Sequence, residues 1–440
     1  MRRLTTNLDQ YSDYIKIIRC LIQVIDKNHY LKKKHVDDCQ NKGYSWDLIK
    51  QTLRWYYRYI EVLNGLLEKP IKKKNRELEL LLITSLVRIN HLQESNHHVV
   101  NHSVDLARAL KLKWADALVN KVLRQYILNQ NNYEELYKNK PSLMMAHPGW
   151  LIKAIKKNWP EHLKSIVLSN QCIPQKWLNT SSSQKAQSLL SKYKDQLSTT
   201  DTLDTALKIN HHAVLDSIVN TDDDWGYIQD ISAQMIHLVL KQIPKPNNVL
   251  DACAAPGGKA YVLLRDFPDI SLTCTDVDDV RLGILDQNLR RFNSTNKNIS
   301  VIKKNWCEDD HNMDCLFDLV VLDAPCSGSG VVKRHPEKKF NPWDLSELCQ
   351  TQSEMLKNAW SSVTVGGFLI YSTCSILQEE NSDQILSFIS SRNDVEVKLF
   401  KLPVGLQSDV GWQILPNQEM DGHYFVILKK TRLNLLDRQV

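Results

Sequence analysis

Two cysteines end two strand-to-turn segments, Asp323-Ala324-Pro325-Cys326 and Ser372-Thr373-Cys374, downstream of a glycine turn at Asp251-Ala252-Cys253-Ala254-Ala255-Pro256-Gly257-Gly258-Lys259. A thiol can add to carbon 6 of a pyrimidine, which makes carbon 5 electron-rich enough to attack a methyl sulfonium. Covalent addition divides a hard substitution into feasible steps. A free thiol of pKa about 8.5 is only a few per cent ionised at neutral pH, so the nucleophile needs a positively biased pocket. Lys259 can help supply that bias, and Asp323 can hydrogen-bond the exocyclic amine edge of cytosine, where uracil presents the wrong groups. Each residue also has an ordinary reading: a lone cysteine is usually a small buried hydrophobe, and Asp323 can cap the turn that follows it.

The glycine turn points to a cofactor. Glycine is scarce, 14 in 440 residues, yet six form three close pairs: Gly257 with Gly258, Gly328 with Gly330, and Gly366 with Gly367. Glycine permits positive φ and close approach of a ligand to the backbone, so clustering in one region marks built turns. The segment lacks Gly-x-x-x-x-Gly-Lys-Ser/Thr and Gly-x-Gly-x-x-Gly, which argues against a phosphate loop and a dinucleotide site. Asp276 follows at the end of the next expected strand, about the spacing at which a carboxylate holds ribose hydroxyls. A ligand with a ribose but no pyrophosphate fits S-adenosylmethionine.

These residues need a sheet to carry them. Val249 to Cys253, Leu272 to Val277, Ile299 to Lys303, Phe317 to Asp323 and Phe368 to Thr373 read as strands, with helical patterns after most of them. That rhythm predicts an open, mainly parallel α/β sheet, with ligands outside the carboxyl ends of its strands. The N-terminal part differs. From Tyr11 to about Asn129 apolar residues recur at three and four, as in Leu78, Leu82, Leu86 and Ile89, which predicts an all-α domain. The expected division is 1–145 helical, 146–225 a small connecting domain with polar loops, and 226–432 a Rossmann-like sheet domain.

Composition supports a globular chain: 42% of residues are apolar and 24% charged. No stretch approaches the roughly 18 apolar residues of a membrane span, and Met1-Arg2-Arg3-Leu4-Thr5-Thr6 does not open a signal sequence, so a cytoplasmic protein is expected. Ten cysteines, at 20, 39, 172, 253, 274, 307, 315, 326, 349 and 374, include no Cys-x-x-Cys pair and no zinc-type spacing. No metal is expected, and His97, His98 and His102 read as surface histidines. A net charge of +6, with Lys32-Lys33-Lys34 and Lys72-Lys73-Lys74 in the N-terminal third, suits a polyanionic partner without requiring one.

Asp251 to Lys259, Asp323-Ala324-Pro325-Cys326-Ser327-Gly328, and Tyr371-Ser372-Thr373-Cys374-Ser375 with Glu379-Glu380-Asn381 closely resemble the motifs of the RNA cytosine-5 methyltransferase family. Val100-Asn101-His102-Ser103-Val104 and Leu118-Val119-Asn120-Lys121-Val122-Leu123-Arg124 resemble the helical domain shared with the antitermination factor NusB. The resemblance spans nearly the whole chain. It implies S-adenosylmethionine-dependent methylation of carbon 5 of a cytosine in 16S ribosomal RNA, with Cys374 as nucleophile and Cys326 assisting release of the methylated base. By the same resemblance Cys253, Ala254, Ala255, Pro256, Gly257, Gly258, Lys259, Asp276, Asn305 and Asp323 contact the cofactor, Lys259 and Asp323 also serve the reaction, and residues 1–145 bind RNA. A monomer is expected.

Two positions depart from the family pattern. Asn305 stands where relatives carry an aspartate after the third strand, and Asn179 where they tend to carry an arginine, which weakens one cofactor contact and one RNA contact. Competing readings are the same chemistry on transfer RNA, a non-catalytic RNA-binding factor on a decayed methyltransferase fold, and a thiol-redox protein pairing Cys326 with Cys374.

Overall fold

The computed structural model describes residues 5–432 apart from 212, 222–224, 293–297 and 309–315, so Cys315 lies outside the described residues. Two compact units emerge, Met1–Cys172 with Val332–Pro342, and Ile173–Val331 with Trp343–Val440.

The first unit is helical. Its main helices are Thr5–Lys27, Lys42–Leu66, Arg76–His91, Asn96–Ala109 and Asp116–Leu128. Arg76–His91 is apolar on almost every side and buries every residue from Leu80 to Ile89, as a central helix must. Asn41 and Ser95 cap two of the helices, accepting from the backbone N–H of Tyr44 and His98. His97 and His98 are exposed as expected, but His102 is not a surface histidine: it is buried against Tyr11 and Tyr14, with Nδ1 3.1 Å from Arg88. Helical periodicity puts it on the same face as buried Val99 and Leu106, which outweighs its polarity.

Residues 332–342 leave the sheet region of the sequence and pack in this helical unit. Arg54 donates to the Lys333 carbonyl at 2.7 Å, Phe340 stacks on Tyr57, and the fully buried Lys339 ammonium donates to the carbonyls of Arg54 at 2.8 Å and Ala146 at 3.0 Å. Burial, with Arg54 and Arg58 near, pushes the Lys339 ammonium well below its usual range.

The second unit contains two sheets. The smaller has order β2-β3-β1-β4, all antiparallel, built from β1 (Trp177–Asn179), β2 (Leu197–Ser198), β3 (Ala206–Ile209) and β4 (Tyr227–Ile228) around Leu178, Leu189, Leu207 and Ile218. The larger comprises β5 (Asn248–Asp251), β6 (Ser271–Asp276), β7 (Ile299–Lys303), β8 (Phe317–Asp323), β9 (Val363–Thr373), β10 (Val395–Lys398), β11 (Leu406–Gln407), β12 (Trp412–Ile414) and β13 (His423–Lys430).

Strands β7-β6-β5-β8-β9 are parallel, and β13 joins β9 antiparallel, carrying β12 and β10 on its other edge. Alternation splits the core between the faces: Leu319 and Val321 pack on one side, Val320 and Leu322 on the other. The chain runs outward from β5 to β7, then returns to build β8 and β9 on the other side of β5. The carboxyl ends of β5 and β8 therefore flank a topological switch point, where open α/β sheets bind ligands.

Lys339→Ala leaves two buried carbonyls without their donor and opens a cavity. It is expected to lower stability by roughly 2–4 kcal/mol, measured by urea unfolding, with faster hydrogen exchange in the helix Lys42–Leu66.

Candidate active site

The glycine turn lies at the carboxyl end of β5. Ala252 N–H bonds to Val321 and Ala254 N–H to Thr275, so the turn is pinned between β8 and β6. Gly257 has φ +112° and caps the helix Gly258–Asp266. Only glycine adopts that backbone without strain. At Gly258 an added Cβ would sit 2.9 Å from the Gln229 amide, so the second glycine gives the neighbouring chain room.

Carboxylates surround this turn. Asp276 closes β6 and is buried; Asp278 N–H donates to its Oδ1, and the Arg281 guanidinium lies 3.2 Å from its Oδ2 while donating to the Ala255 carbonyl at 2.6 Å. Asp251 is fully buried, and neither of its oxygens makes a hydrogen bond of ordinary geometry, although the Ala260 amide lies near enough to favour the charged form. Burial pushes Asp251 up to about 7, opposed by Lys259 and aided by Asp323 and Asp276. Burial and the same acidic neighbours push the Cys253 thiol well above its usual range, which argues against Cys253 as a nucleophile.

Across the switch point, the buried Lys259 ammonium sits 2.5 Å from Asp323 Oδ2, and Ser372 Oγ donates to Asp323 Oδ1 at 3.1 Å. Burial would raise the Asp323 carboxyl, but Lys259, His423 and the Ser372 hydroxyl more than offset it and hold it below the usual range. The Asp323 side chain stays about a third exposed, so it can meet a ligand while ionised. Next to it, Cys326 and Cys374 are free thiols with sulfurs 3.3 Å apart, well beyond the roughly 2.05 Å of a disulfide. The hydrogen bond with Cys374 first, then burial, pushes the Cys326 thiol well above its usual range.

The Lys259–Asp323 ion pair and the Cys326–Cys374 thiol pair thus lie at or just beyond the carboxyl ends of β8 and β9, with the turn Cys253 to Gly258 and Asp276 at the same sheet edge. Four residues of the region escaped the sequence reading. Arg281 looked like an ordinary helix-surface charge; Ser372, His423 and Asp251 sat inside recognisable strands or motifs without a distinguishing signal.

Comparison with known proteins places this arrangement. Residues 238–429 match the family described as 16S rRNA methyltransferase RsmB/F, and residues 15–127 match the NusB family. The ribosomal RNA small subunit methyltransferase B of Proteus mirabilis is 32% identical over 429 residues, covering 94% of this chain and 97% of that protein. Its counterpart in Vibrio vulnificus is 32% identical over 391 residues, 86% of this chain and 88% of that one. A crystal structure described as a methyltransferase homolog from Pyrococcus horikoshii superposes with a TM-score of 0.52 at 25% identity, covering 68% of this chain and 98% of that one. The chain belongs to the RsmB/F family of ribosomal RNA methyltransferases.

As a member of the RsmB/F family it methylates RNA with S-adenosylmethionine, and the site's donors fit that cofactor. Buried Asp276 at a strand end suits ribose hydroxyls, and the acidic surroundings of Asp251 suit a sulfonium and an ammonium group. Asn305 is turned into its own loop, Oδ1 accepting from Cys307 N–H at 3.1 Å and Nδ2 donating to Glu308 at 2.8 Å. Asn179 is fully buried, donating to Gln229 at 3.1 Å and accepting from Arg265 at 2.6 Å. Among the described residues no helix is long and apolar enough to cross a membrane, and no group of three or more His, Cys, Asp or Glu side chains is arranged to hold a metal.

The raised Asp251 carboxyl makes a pH prediction. Its folded-state pKa of about 7 exceeds the ordinary 3.8, so its contribution to stability is complete below about pH 4 and is lost as pH rises through 7. Asn cannot titrate. The melting temperature of Asp251→Asn relative to wild type should therefore climb from pH 5 to about pH 7 and level off by pH 8; a difference that stays flat from pH 5 to pH 7 contradicts the assignment.

Proposed function

We propose that this protein methylates carbon 5 of one cytosine in 16S ribosomal RNA through a covalent adduct between Cys374 and carbon 6. The observation that carries this reading is the pair of thiols in contact, 3.3 Å apart, on the turns that follow β8 and β9, with the Lys259–Asp323 ion pair at the end of β8. Two sulfurs at that spacing can address two adjacent ring carbons from one side of the site.

Lys259 keeps Asp323 ionised, so its carboxylate can accept from the exocyclic amine of cytosine; the carbonyl oxygen of uracil at that place would be repelled. Cys374 donates an electron pair to carbon 6, and the electrons of the C5–C6 double bond make carbon 5 nucleophilic. S-adenosylmethionine, when bound, supplies an electrophilic methyl group. The carbon 5 proton passes to water, its C–H electron pair restores the double bond, and the Cys374 sulfur departs with the pair of its bond to carbon 6. The contact between the two sulfurs lets one thiol donate to the other as it ionises, and either can be the donor. The assignment of Cys374 as nucleophile and Cys326 as the residue that assists release follows the family resemblance of the two cysteine motifs.

The target base must be unstacked or already in a loop to reach both groups. In this reading residues 226–432 perform the transfer, while 1–145 and 146–225 hold the RNA through phosphate contacts and shape. A cleft of about 560 Å³ in the helical unit supports such a role: exposed Trp114 lines it together with Ile71, Leu118, Lys69, Lys72 and Lys74. An exposed indole among lysines suits stacking on a base with its phosphates neutralised.

Methyl transfer to unmodified 16S ribosomal RNA should fall by more than about 10³-fold in Cys374→Ala, with no covalent adduct on denaturing gels. Cys326→Ala should instead accumulate a protein–RNA adduct. Adduct in Cys374→Ala, or efficient turnover in Cys326→Ala, would reverse or remove the assigned roles, and transfer to transfer RNA alone would move the substrate. Binding to the RNA should weaken steeply with salt, and replacing Lys69, Lys72 and Lys74 by alanine should flatten the log–log slope by roughly 2, at about 0.7 for each phosphate no longer neutralised.

A further inference from the structure

Beyond Asp323 and Thr373 the ladder between β8 and β9 ends, yet the cysteines that follow remain in contact. Their spacing is set from behind by one carboxylate. Glu380, fully buried on the short 3₁₀ turn Gln378–Glu380, accepts through Oε1 from Ser327 N–H at 2.8 Å and the Gln352 amide at 3.0 Å. Through Oε2 it accepts from the hydroxyls of Ser327 and Ser375, both at 2.5 Å. Ser327 directly follows Cys326, and Ser375 directly follows Cys374. A carboxylate has about four acceptor sites, and all four are used on the two turns or on Gln352.

The rest of the network points the same way. Gln352 donates a second bond to the carbonyl of Pro325, the residue before Cys326. Ser329 Oγ lies 2.9 Å from Ser375 Oγ and accepts from Ile376 N–H, while Gly330 N–H donates to the Cys374 carbonyl. The Glu380 backbone is itself held by the Tyr371 hydroxyl at 2.8 Å. Among the described residues no lysine, arginine or histidine forms an ion pair with Glu380. A buried, unneutralised carboxylate is costly and persists where hydrogen bonds to it are numerous and geometry matters.

We propose that Glu380 is the positioning residue of the thiol pair, a buried carboxylate staple that joins the turns after Cys326 and Cys374 and fixes the separation of the two sulfurs. The inference rests on the two-cysteine reading above and deepens it. The carboxylate also lies behind Cys326, where its charge opposes ionisation of that thiol. Glutamine cannot replace it: the amide offers one acceptor oxygen, and its NH₂ group would face Ser327 N–H or force the serine hydroxyls to turn.

The test compares wild type with Glu380→Gln, Glu380→Asp and Ser375→Ala. The first readout needs no RNA: diamide takes up two hydrogens as Cys326 and Cys374 form a disulfide, followed by mass spectrometry of the linked peptides across pH 6 to 10. Glu380→Gln should form the disulfide at least tenfold more slowly below pH 8, and the pH at which its rate rises should move down because the charge is gone. Glu380→Asp and Ser375→Ala should fall between it and wild type. With 16S RNA, Glu380→Gln should lose 10² or more in kcat, with KM and S-adenosylmethionine affinity within threefold.

Disulfide rates and a pH dependence equal to wild type in Glu380→Gln would overturn the proposal. If that variant does not fold, unchanged rates in both Glu380→Asp and Ser375→Ala would do the same. If wild type transfers no methyl group to any cytosine, the functional reading fails, while the diamide measurement still decides the staple.

Discussion

The parallel pairing of β8 with β9 sets the distances on which the site depends. Asp323 lies opposite Ser372, which lets the serine hydroxyl reach the carboxylate and carries Cys326 and Cys374 off the ends of neighbouring strands. A slip of one residue would displace one turn by about 3.3 Å and send alternate side chains to the other face of the sheet. Leu319 and Val321 would then exchange faces with Val320 and Leu322, so both core layers oppose the slip. The pairing is irregular only near its start, between Phe317 and Leu319, where β9 carries extra residues through Gly366 and Gly367. Gly366 has φ +86°, and a Cβ on Gly367 would meet Thr364 Oγ1 at 2.7 Å, so this bulge requires its glycines and leaves the functional end of the ladder regular.

Charge at the switch point is unbalanced in a way that matches the cofactor. Asp251, Asp276 and Asp323 converge there, while Lys259 and the half-exposed Arg281 are the cations seen against them. Lys259 is spent on Asp323, and Arg281 divides its guanidinium between Asp276 and a backbone carbonyl. Asp251 is left to relieve its burial by taking up a proton near neutrality. A sulfonium and an ammonium entering this region would meet carboxylates already desolvated, where charge interactions are stronger than in water.

Much of this was legible because it is local. The strand runs, the glycine pairs, Asp276 at a strand end and the two cysteine turns all lie within a few residues of the pattern that reveals them. What escaped depends on partners far away in sequence. Residues 332–342 join the helical unit through contacts such as Arg54 with Lys333, 279 positions apart, which no periodicity encodes. The antiparallel half of the large sheet includes β11 of two residues and β12 of three, too short for alternation to register. Asn179 read as a missing RNA contact because its type differs from that of relatives; its burial against Arg265 and Gln229 is a matter of tertiary placement alone.

The serines around the thiols explain why side chains, rather than a longer ladder, hold them. Backbone pairing sets neighbouring strands about 4.8 Å apart, a spacing across which cysteine side chains can meet, and the sulfurs lie at 3.3 Å. Holding that spacing once the ladder has ended needs groups that tie the two turns from behind, and hydroxyls can rotate to satisfy a shared acceptor where amides cannot. Ser327, Ser329 and Ser375 do so around one carboxylate, with Asn381 anchoring the second turn by accepting from Thr373 Oγ1 at 2.6 Å and donating to the Ser375 carbonyl at 3.0 Å. When a sulfur moves from its thiol partner to a ring carbon, such a network can adjust by hydroxyl rotation without breaking a strand. The thiols are thus held close by the part of the structure best able to let one of them move.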